Sequence, residues 1–119
     1  MKIVTNEVKR LSNATRYSLQ GFRHAWTGEA AFRLEVVLAV VLLPTALLIP
    51  VDTLQRVALV GSLLLVLIVE LLNSAIEAAI DRVGTELHPI SGRGKDMGSA
   101  AVFVALLFCA FTWISILIF

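Results

Sequence analysis

Three long stretches of the sequence contain no charged residue. They cover residues 36–51, 57–69 and 97–119. A membrane-spanning helix needs about 20 residues at a rise of about 1.5 Å each, and the third stretch reaches that length alone. The first reaches it if its helix begins near Glu29, and the second reaches it if Glu70 and Glu77 lie in or near the membrane. The pattern therefore predicts three spans, at about 29–49, 53–85 and 97–119.

Capping and breaking residues mark the turn between the first two spans. Pro50 disfavours helical backbone in the residue before it. Asp52, followed by Gln55 three residues later, matches a capping box and predicts the start of the second helix. Pro44 lies inside the first span, where a proline usually kinks a membrane helix without ending it. We therefore expect a short turn over residues 50–53 between two continuous helices.

The N-terminal segment alternates apolar and polar positions at helical spacing. Its apolar face consists of Val8, Leu11, Thr15, Leu19, Phe22 and Trp26. Basic residues such as Arg16 and Arg23 lie beside that face, which is typical of a helix in the membrane interface, so we predict one over about residues 5–26. The segment has no apolar core of the kind a cleaved signal peptide needs, and we expect none. Thr27 is a suitable N-cap for the next helix, which would place Glu29 in its first turn.

The composition supports a membrane protein. Hydrophobic residues make up 58% of the 119 residues and charged residues 16%, with a mean hydropathy of +0.87. A soluble domain has about 25% charged residues, so a soluble enzyme and a disordered chain are both excluded. The net charge of +1 argues against a nucleic-acid-binding protein. The single cysteine, Cys109, excludes an internal disulfide and a cysteine-based zinc site. We predict an all-α fold with one membrane domain over residues 1–119.

The distribution of Lys and Arg predicts the orientation in the membrane. Six of the ten lie in residues 1–35, three lie between the second and third spans, and one, Arg56, follows the first turn. Because loops rich in Lys and Arg stay in the cytoplasm, we expect the N-terminus and a loop over residues 86–96 on that side. The turn at residues 50–53 and the C-terminus would then face the periplasm or the exterior.

The second predicted span carries a stripe of polar residues on one face. The stripe consists of Glu70, Asn73, Glu77 and Asp81. Their spacing of three, four and four residues places them within an arc of about 80°. Ionisable residues inside a membrane are costly and usually functional. Packing between helices through amides and small residues explains Asn73 and Ser74 but explains two carboxylates poorly. The stripe favours a functional site, with helix packing as the alternative.

The two carboxylates of the stripe have different depths. Glu70 and Glu77 are about 10.5 Å apart along the helix, so they cannot ligate one ion together. In the expected orientation Glu77 is nearer the cytoplasm, where a nucleotide could bring Mg²⁺ bound to its phosphates. Glu70 lies deeper, where the hydroxyl group of a lipid could reach it. This difference points to separate roles for the two groups.

The segment after the stripe is polar and rich in glycine. Turns at its glycines, together with Arg93 and Lys95, could hold phosphate groups. It lacks a Walker A motif and a protein-kinase signature. An ordinary cytoplasmic connector is the alternative interpretation, in which His88 is a solvated loop residue.

The segment from Glu70 to Asp81 resembles the signature of the prokaryotic diacylglycerol kinases, which are small trimeric membrane enzymes. That signature is Glu-x-apolar-Asn-Ser-Ala-apolar-Glu-x-x-Val-Asp, and here Ile80 replaces the valine. The resemblance extends to Tyr17-Ser18, Gly21, Trp26, Glu29-Ala-Ala-Phe32-Arg33, Glu35, Gly92-Arg93 and Lys95-Asp96-Met-Gly-Ser-Ala-Ala101. It implies ATP-dependent phosphorylation of diacylglycerol to phosphatidic acid in the bacterial inner membrane. It also implies a domain-swapped homotrimer whose active sites are shared between subunits.

The resemblance also implies roles for individual residues. Glu70 would be the catalytic base for the lipid hydroxyl, and Asn73 a catalytic residue that positions the reacting groups. Glu29 and Glu77 would hold Mg²⁺ on the phosphates of ATP. The nucleotide would contact Arg10, Tyr17, Glu29, Glu77, Glu86, His88, Lys95 and Asp96. The lipid would contact Arg10, Ala14, Arg23, Trp26, Glu35, Glu70, Ser99 and Trp113.

Three other functions remain open from the sequence. An undecaprenol kinase of the same family would share the signature, although the long amphipathic N-terminal segment favours diacylglycerol. A small proton-coupled or multidrug transporter would also carry a membrane carboxylate but would not need the basic, glycine-rich segment. A structural membrane subunit would use the stripe for assembly alone.

Overall fold

Four helices account for most of the chain. The computed structural model describes residues 1–84 and 86–119, and within these it contains α1 (Lys2–Gly28), α2 (Ala30–Leu48), α3 (Thr53–Val83) and α4 (Pro89–Ile118). The predicted all-α fold is confirmed. Helix α3 packs mainly against α4 and less extensively against α2, whereas α1 contacts the other helices mainly through α2. Helix α3 is therefore the central element.

Helix α1 is separated from the other helices by a bend at Glu29. The backbone of Glu29 is extended (φ −124°, ψ 106°), which ends α1 and starts α2. Arg33 Nη1 donates to the carbonyl of Trp26 at 2.7 Å and so satisfies the C-terminal end of α1. The expected cap at Thr27 is wrong, because its hydroxyl donates back to the carbonyl of Arg23 at 2.9 Å inside α1. Glu29 is therefore the N-cap of α2, and its extended backbone lets the axis of α2 differ in direction from that of α1.

The turn after α2 follows the sequence prediction. Helix α2 continues through Pro44 to Leu48 without a break. Asp52 Oδ1 accepts from the Gln55 backbone N–H at 2.8 Å, and the Asp52 N–H donates to Gln55 Oε1 at 3.2 Å. The predicted capping box at the start of α3 is therefore confirmed.

Arg56 connects this turn to the end of α2 through hydrogen bonds. Its guanidinium donates to the carbonyls of Ala46 at 2.7 Å, Ile49 at 3.1 Å and Val51 at 3.1 Å. The last carbonyls of a helix have no partner inside it, so a side chain that reaches them stabilises the helix end. The guanidinium carries five N–H donors on three nitrogens in a fixed plane, whereas the three donors of a lysine ammonium are on one nitrogen.

We expect Arg56→Lys to lower the free energy of unfolding by about 2 kcal/mol, because hydrogen bonds from a charged donor to partly buried carbonyls are lost. The measurement is unfolding in detergent micelles followed by circular dichroism. Arg82→Lys, at the exposed C-terminal end of α3, is the matched control and should unfold like the wild type. Equal stability of Arg56→Lys and wild type would contradict this role.

Three of the helices are long and apolar enough to cross a membrane. These are α2, α3 and α4. Their buried contacts near the first turn form an apolar core of Ala46, Leu59, Leu63 and Trp113. Most other large apolar side chains on these helices, such as Val40, Ile68 and Phe103, remain exposed, as expected for surfaces that face lipid. The chain is therefore a multi-pass membrane protein.

The connection between α3 and α4 is shorter than the loop predicted over residues 86–96. Helix α4 begins at Pro89, and His88 Nδ1 accepts from the Ile90 N–H at 3.1 Å as its cap. Proline is favoured in the first turn because it has no N–H to satisfy. Gly92 and Gly94 are therefore helical, and the expectation that they form turns which hold phosphate is wrong.

Candidate functional site

The stripe on α3 passes from a buried to an exposed environment. Glu70 is 4% exposed and Asn73 is 8% exposed, whereas Glu77 is half-buried and Asp81 is exposed. Asn73 Nδ2 donates to Glu77 Oε1 at 3.3 Å, which confirms that the two side chains share a face. A buried carboxylate on an apolar helix requires a compensating function or partner. The stripe is therefore the centre of the candidate site.

The position of Glu70 along α3 suits chemistry at a membrane surface. Glu70 lies about 26 Å along the helix from Thr53. The hydrocarbon core of a bilayer is about 30 Å thick. With the turn before Thr53 at one boundary of that core, Glu70 lies just inside the other boundary. Glu77 lies about 10.5 Å further along, among the lipid headgroups.

A second and a third carboxyl group approach Glu70 from outside α3. Glu35 of α2 lies directly beside Glu70, and one of its oxygens, Oε2, is buried and accepts no hydrogen bond from the described residues. Glu29, at the bend before α2, and Glu77 are close enough to Glu70 to interact with it electrostatically. Three like charges around a buried carboxylate are unfavourable unless a cation or protons compensate them. The arrangement therefore fits a site that takes up positive charge.

Asn73 joins this carboxyl cluster to α4. Its Nδ2 group points to Glu77, and its Oδ1 atom lies against Gly98. Oδ1 is buried, and none of the residues described in the structure donates a hydrogen bond to it. Asn73 is therefore held between a carboxylate on its own helix and the backbone of the next.

Lys95 lies on α4 beside the exposed end of the stripe. Its ammonium donates to Asp81 Oδ1 at 2.7 Å across the connection between α3 and α4, and Glu77 is also near. The pair leaves about half of each side chain exposed, so a ligand could still reach Lys95. The other expected nucleotide residues of this region, Glu86, His88 and Asp96, are exposed on the same connection or the first turns of α4.

A cavity of about 510 Å³ lies between α1 and α3 and reaches Glu29. Its apolar lining includes Phe22 and Leu71, and its polar lining includes His24 and Ser74. An apolar cavity with a few polar groups at one end is suited to an amphipathic molecule such as a lipid. No sequence motif marks His24 and Phe22 as lining residues. Their spacing on α1 shows where each lies on the helix, but the bend at Glu29 decides which side meets α3.

The side chains of Arg10 and Tyr17, two expected ligand residues of α1, are exposed and pair with neighbours on α1 itself. Arg10 pairs with Glu7 at 3.0 Å and is exposed. Tyr17 is also exposed and lies 5.3 Å below the guanidinium of Arg16. Along α1, Arg10 is about 28 Å from Glu29. The other expected lipid residues of α1, all exposed, are Ala14, Arg23 and Trp26.

The two expected lipid residues of α4 lie at different levels. Ser99 follows Gly98 and is exposed at the level of the stripe. Trp113 is buried in the apolar core near the first turn, about 22 Å further along α4. The structure therefore brings Ser99 near Asn73 but does not bring Trp113 there.

The described residues hold no cluster of three or more His, Cys, Asp or Glu side chains that could form a metal site without other ligands. Glu29 and Glu77 are both close enough to Glu70 to interact with it electrostatically. Mg²⁺ in phosphate-binding sites is commonly held by one or two carboxylates, with phosphate oxygens and water completing its shell. The two glutamates therefore fit a metal that arrives with a nucleotide.

Comparison with known proteins agrees with the resemblance seen in the sequence. The family described as "Prokaryotic diacylglycerol kinase" matches residues 16–117. A protein named diacylglycerol kinase from Pseudomonas aeruginosa is 57% identical over 111 residues, which cover 93% of this chain and 90% of the relative. A protein of the same name from Escherichia coli K12 is 50% identical over 109 residues, which cover 92% of this chain and 89% of the relative.

A more distant relative shows the same correspondence. The diacylglycerol kinase of Helicobacter pylori J99 is 42% identical over 105 residues, covering 88% of this chain and 82% of the relative. The family match spans the carboxyl cluster, α2, α3, nearly all of α4 and about the second half of α1. This chain belongs to the prokaryotic diacylglycerol kinase family.

Proposed function

We propose that this protein transfers the γ-phosphoryl group of ATP to the hydroxyl group of 1,2-diacylglycerol, which gives phosphatidic acid and ADP. The observation that carries the proposal is the buried carboxylate of Glu70 with three other carboxyl groups, those of Glu29, Glu35 and Glu77, near it. The relatives named diacylglycerol kinase support the choice of substrate. The protein is thus a lipid kinase that phosphorylates its substrate within the membrane.

Glu70 acts as the general base in this proposal. Its carboxylate takes the proton from the lipid hydroxyl while that oxygen bonds to the γ-phosphorus of ATP. The bond between the γ-phosphorus and its bridging oxygen breaks, and the bridging oxygen leaves with ADP. Asn73 lies on the same face of α3 as Glu70 and donates a hydrogen bond to Glu77. In this proposal it positions the reacting groups. Phosphoryl transfer depends mainly on such positioning and on neutralisation of charge.

Glu29 and Glu77 hold Mg²⁺ in this proposal. When bound, the ion neutralises charge on the phosphate oxygens. Lys95 lies beside Glu77 and supplies a further positive charge to the phosphates. The remaining nucleotide contacts are Arg10, Tyr17, Glu86, His88 and Asp96. The lipid contacts are Arg10, Ala14, Arg23, Trp26, Glu35, Ser99 and Trp113, and the cavity at Glu29 offers space for part of the lipid.

A homotrimer with shared sites completes this arrangement. Within one chain, Arg10 lies about 28 Å along α1 from Glu29. Large apolar side chains of α2 to α4, such as Val37, Ile76 and Phe103, are also exposed within one chain. Both observations support a site to which a second subunit contributes. The distribution of Lys and Arg supports a bacterial inner-membrane location with the N-terminus in the cytoplasm and the C-terminus outside.

The test is a lipid phosphorylation assay. Purified protein in lipid-containing micelles receives Mg²⁺, ATP labelled at the γ-position, and either diacylglycerol, undecaprenol or no added lipid. We expect labelled phosphatidic acid in the first sample and no comparable product in the others. Labelling of undecaprenol alone would overturn the choice of substrate. Transfer to no lipid, combined with proton-coupled transport in vesicles, would overturn the kinase assignment.

A further inference from the structure

Gly98 of α4 lies directly against the side chain of Asn73 on α3. It is buried, and a Cβ atom placed on it would overlap Oδ1 of Asn73 and lie 3.1 Å from Cγ of the same residue. Contacts under 3.0 Å are essentially absent for real Cβ atoms, so any larger residue here must displace Asn73 or separate the helices. Asn73 is fixed to α3, and its side chain has little room to retreat because it is itself buried.

The backbone conformation does not require glycine at this position. The described glycines have no positive φ, so any residue could adopt the helical backbone of Gly98. Glycine is also less favourable than alanine inside a helix. The space taken by Asn73 is therefore the physical reason for glycine here.

The contact also fixes the direction of the Asn73 amide. With Oδ1 against the Cα of Gly98, Nδ2 points to Glu77 Oε1 at 3.3 Å. The flipped amide would place Oδ1 against the carboxylate of Glu77, where two acceptors repel each other. We infer that Gly98 is a positioning residue, which holds the Asn73 amide toward Glu77 by leaving space for its oxygen. This inference rests on the proposed function, in which Asn73 positions the reacting groups.

The test is a double-mutant cycle of Gly98→Ala and Asn73→Ala. We expect Gly98→Ala to lower kcat by about 10- to 100-fold, the loss typical of a small misplacement at a reacting centre. The double variant should have the same kcat as Asn73→Ala, because the atom that the new methyl group displaces is already gone. Gly61→Ala is the matched control: it lies on exposed α3 surface with no described atom within 4 Å of its added Cβ, and it should keep wild-type kcat.

Stability measurements make the test independent of the kinase assignment. Gly98→Ala should unfold at a lower detergent or temperature midpoint than wild type, and Asn73→Ala should restore the midpoint in the double variant. This holds even if the protein phosphorylates another lipid or none. Wild-type kcat in Gly98→Ala would overturn the inference. It would also be overturned if kcat of the double variant fell by the two single-variant factors multiplied together, because independent effects multiply. Failure of the double variant to fold would also overturn it.

Discussion

Replacing Glu70 with Gln should slow lipid phosphorylation by about 10²- to 10⁴-fold while leaving the protein folded and able to bind Mg-ATP. The amide keeps the size of the side chain but cannot accept the proton of the lipid hydroxyl. General base catalysis contributes about 10²- to 10⁴-fold to a rate, so kcat should fall by that factor. The measurement is the transfer of label from ATP to diacylglycerol, together with the affinity for a non-hydrolysable ATP analogue.

The neighbours of Glu70 make this variant informative about stability as well. Glu35 lies directly beside Glu70, and Glu29 and Glu77 are close. Because like charges crowd this position, a neutral amide should leave stability unchanged or raise it. A residue with only a packing role would show no loss of turnover in the amide form. A loss of kcat without a loss of stability therefore distinguishes a catalytic role from a structural one.

Asp52→Asn is the matched control for Glu70→Gln. It makes the same change from carboxylate to amide at the N-cap of the same helix, about 27 Å from Glu70 along the helix axis. Asn is as good an N-cap as Asp, so α3 should still begin at the same place. This control should keep wild-type kcat. Equal kcat for wild type and Glu70→Gln would remove Glu70 from the mechanism.

The sequence predicted the features that depend on local pattern. The spans follow from uncharged stretches, and the capping box of Asp52 and Gln55 follows from two residues three apart. The stripe follows from helical spacing, and Asn73 and Glu77 bond as that spacing requires. These features need no knowledge of how one helix packs on another.

The features that the sequence did not predict depend on contacts between helices. Glu35 lies beside Glu70 because of the relative rotation and height of α2 and α3, which spacing along either helix does not determine. The contact of Asn73 with Gly98 depends in the same way on α3 and α4. Gly92 and Gly94 favour a loop after Pro89, because glycine is unfavourable inside a helix. The cap at His88 and the packing of α4 on α3 nevertheless keep this segment helical.

Replacing Glu77 with Gln should weaken the use of Mg-ATP with a smaller effect on the transfer step. Removal of one of two carboxylates from the metal site lowers the charge that attracts the ion. Loss of a group that merely supports a metal ligand already costs about 10- to 100-fold in metal affinity, so KM for Mg-ATP should rise by at least about tenfold. Higher Mg²⁺ concentrations should recover part of the activity.

The contact between Asn73 and Glu77 makes glutamine the right substitution at this position. Glutamine keeps an Oε1 acceptor for Asn73 Nδ2, which in the wild type is 3.3 Å away, so the variant removes charge and retains the hydrogen bond. Asp52→Asn is again the control and should keep the KM of the wild type. An unchanged KM with a reduced kcat would instead assign Glu77 to the transfer step. A rise in KM that added Mg²⁺ relieves would separate the proposed metal-binding role of Glu77 from the proposed proton-accepting role of Glu70.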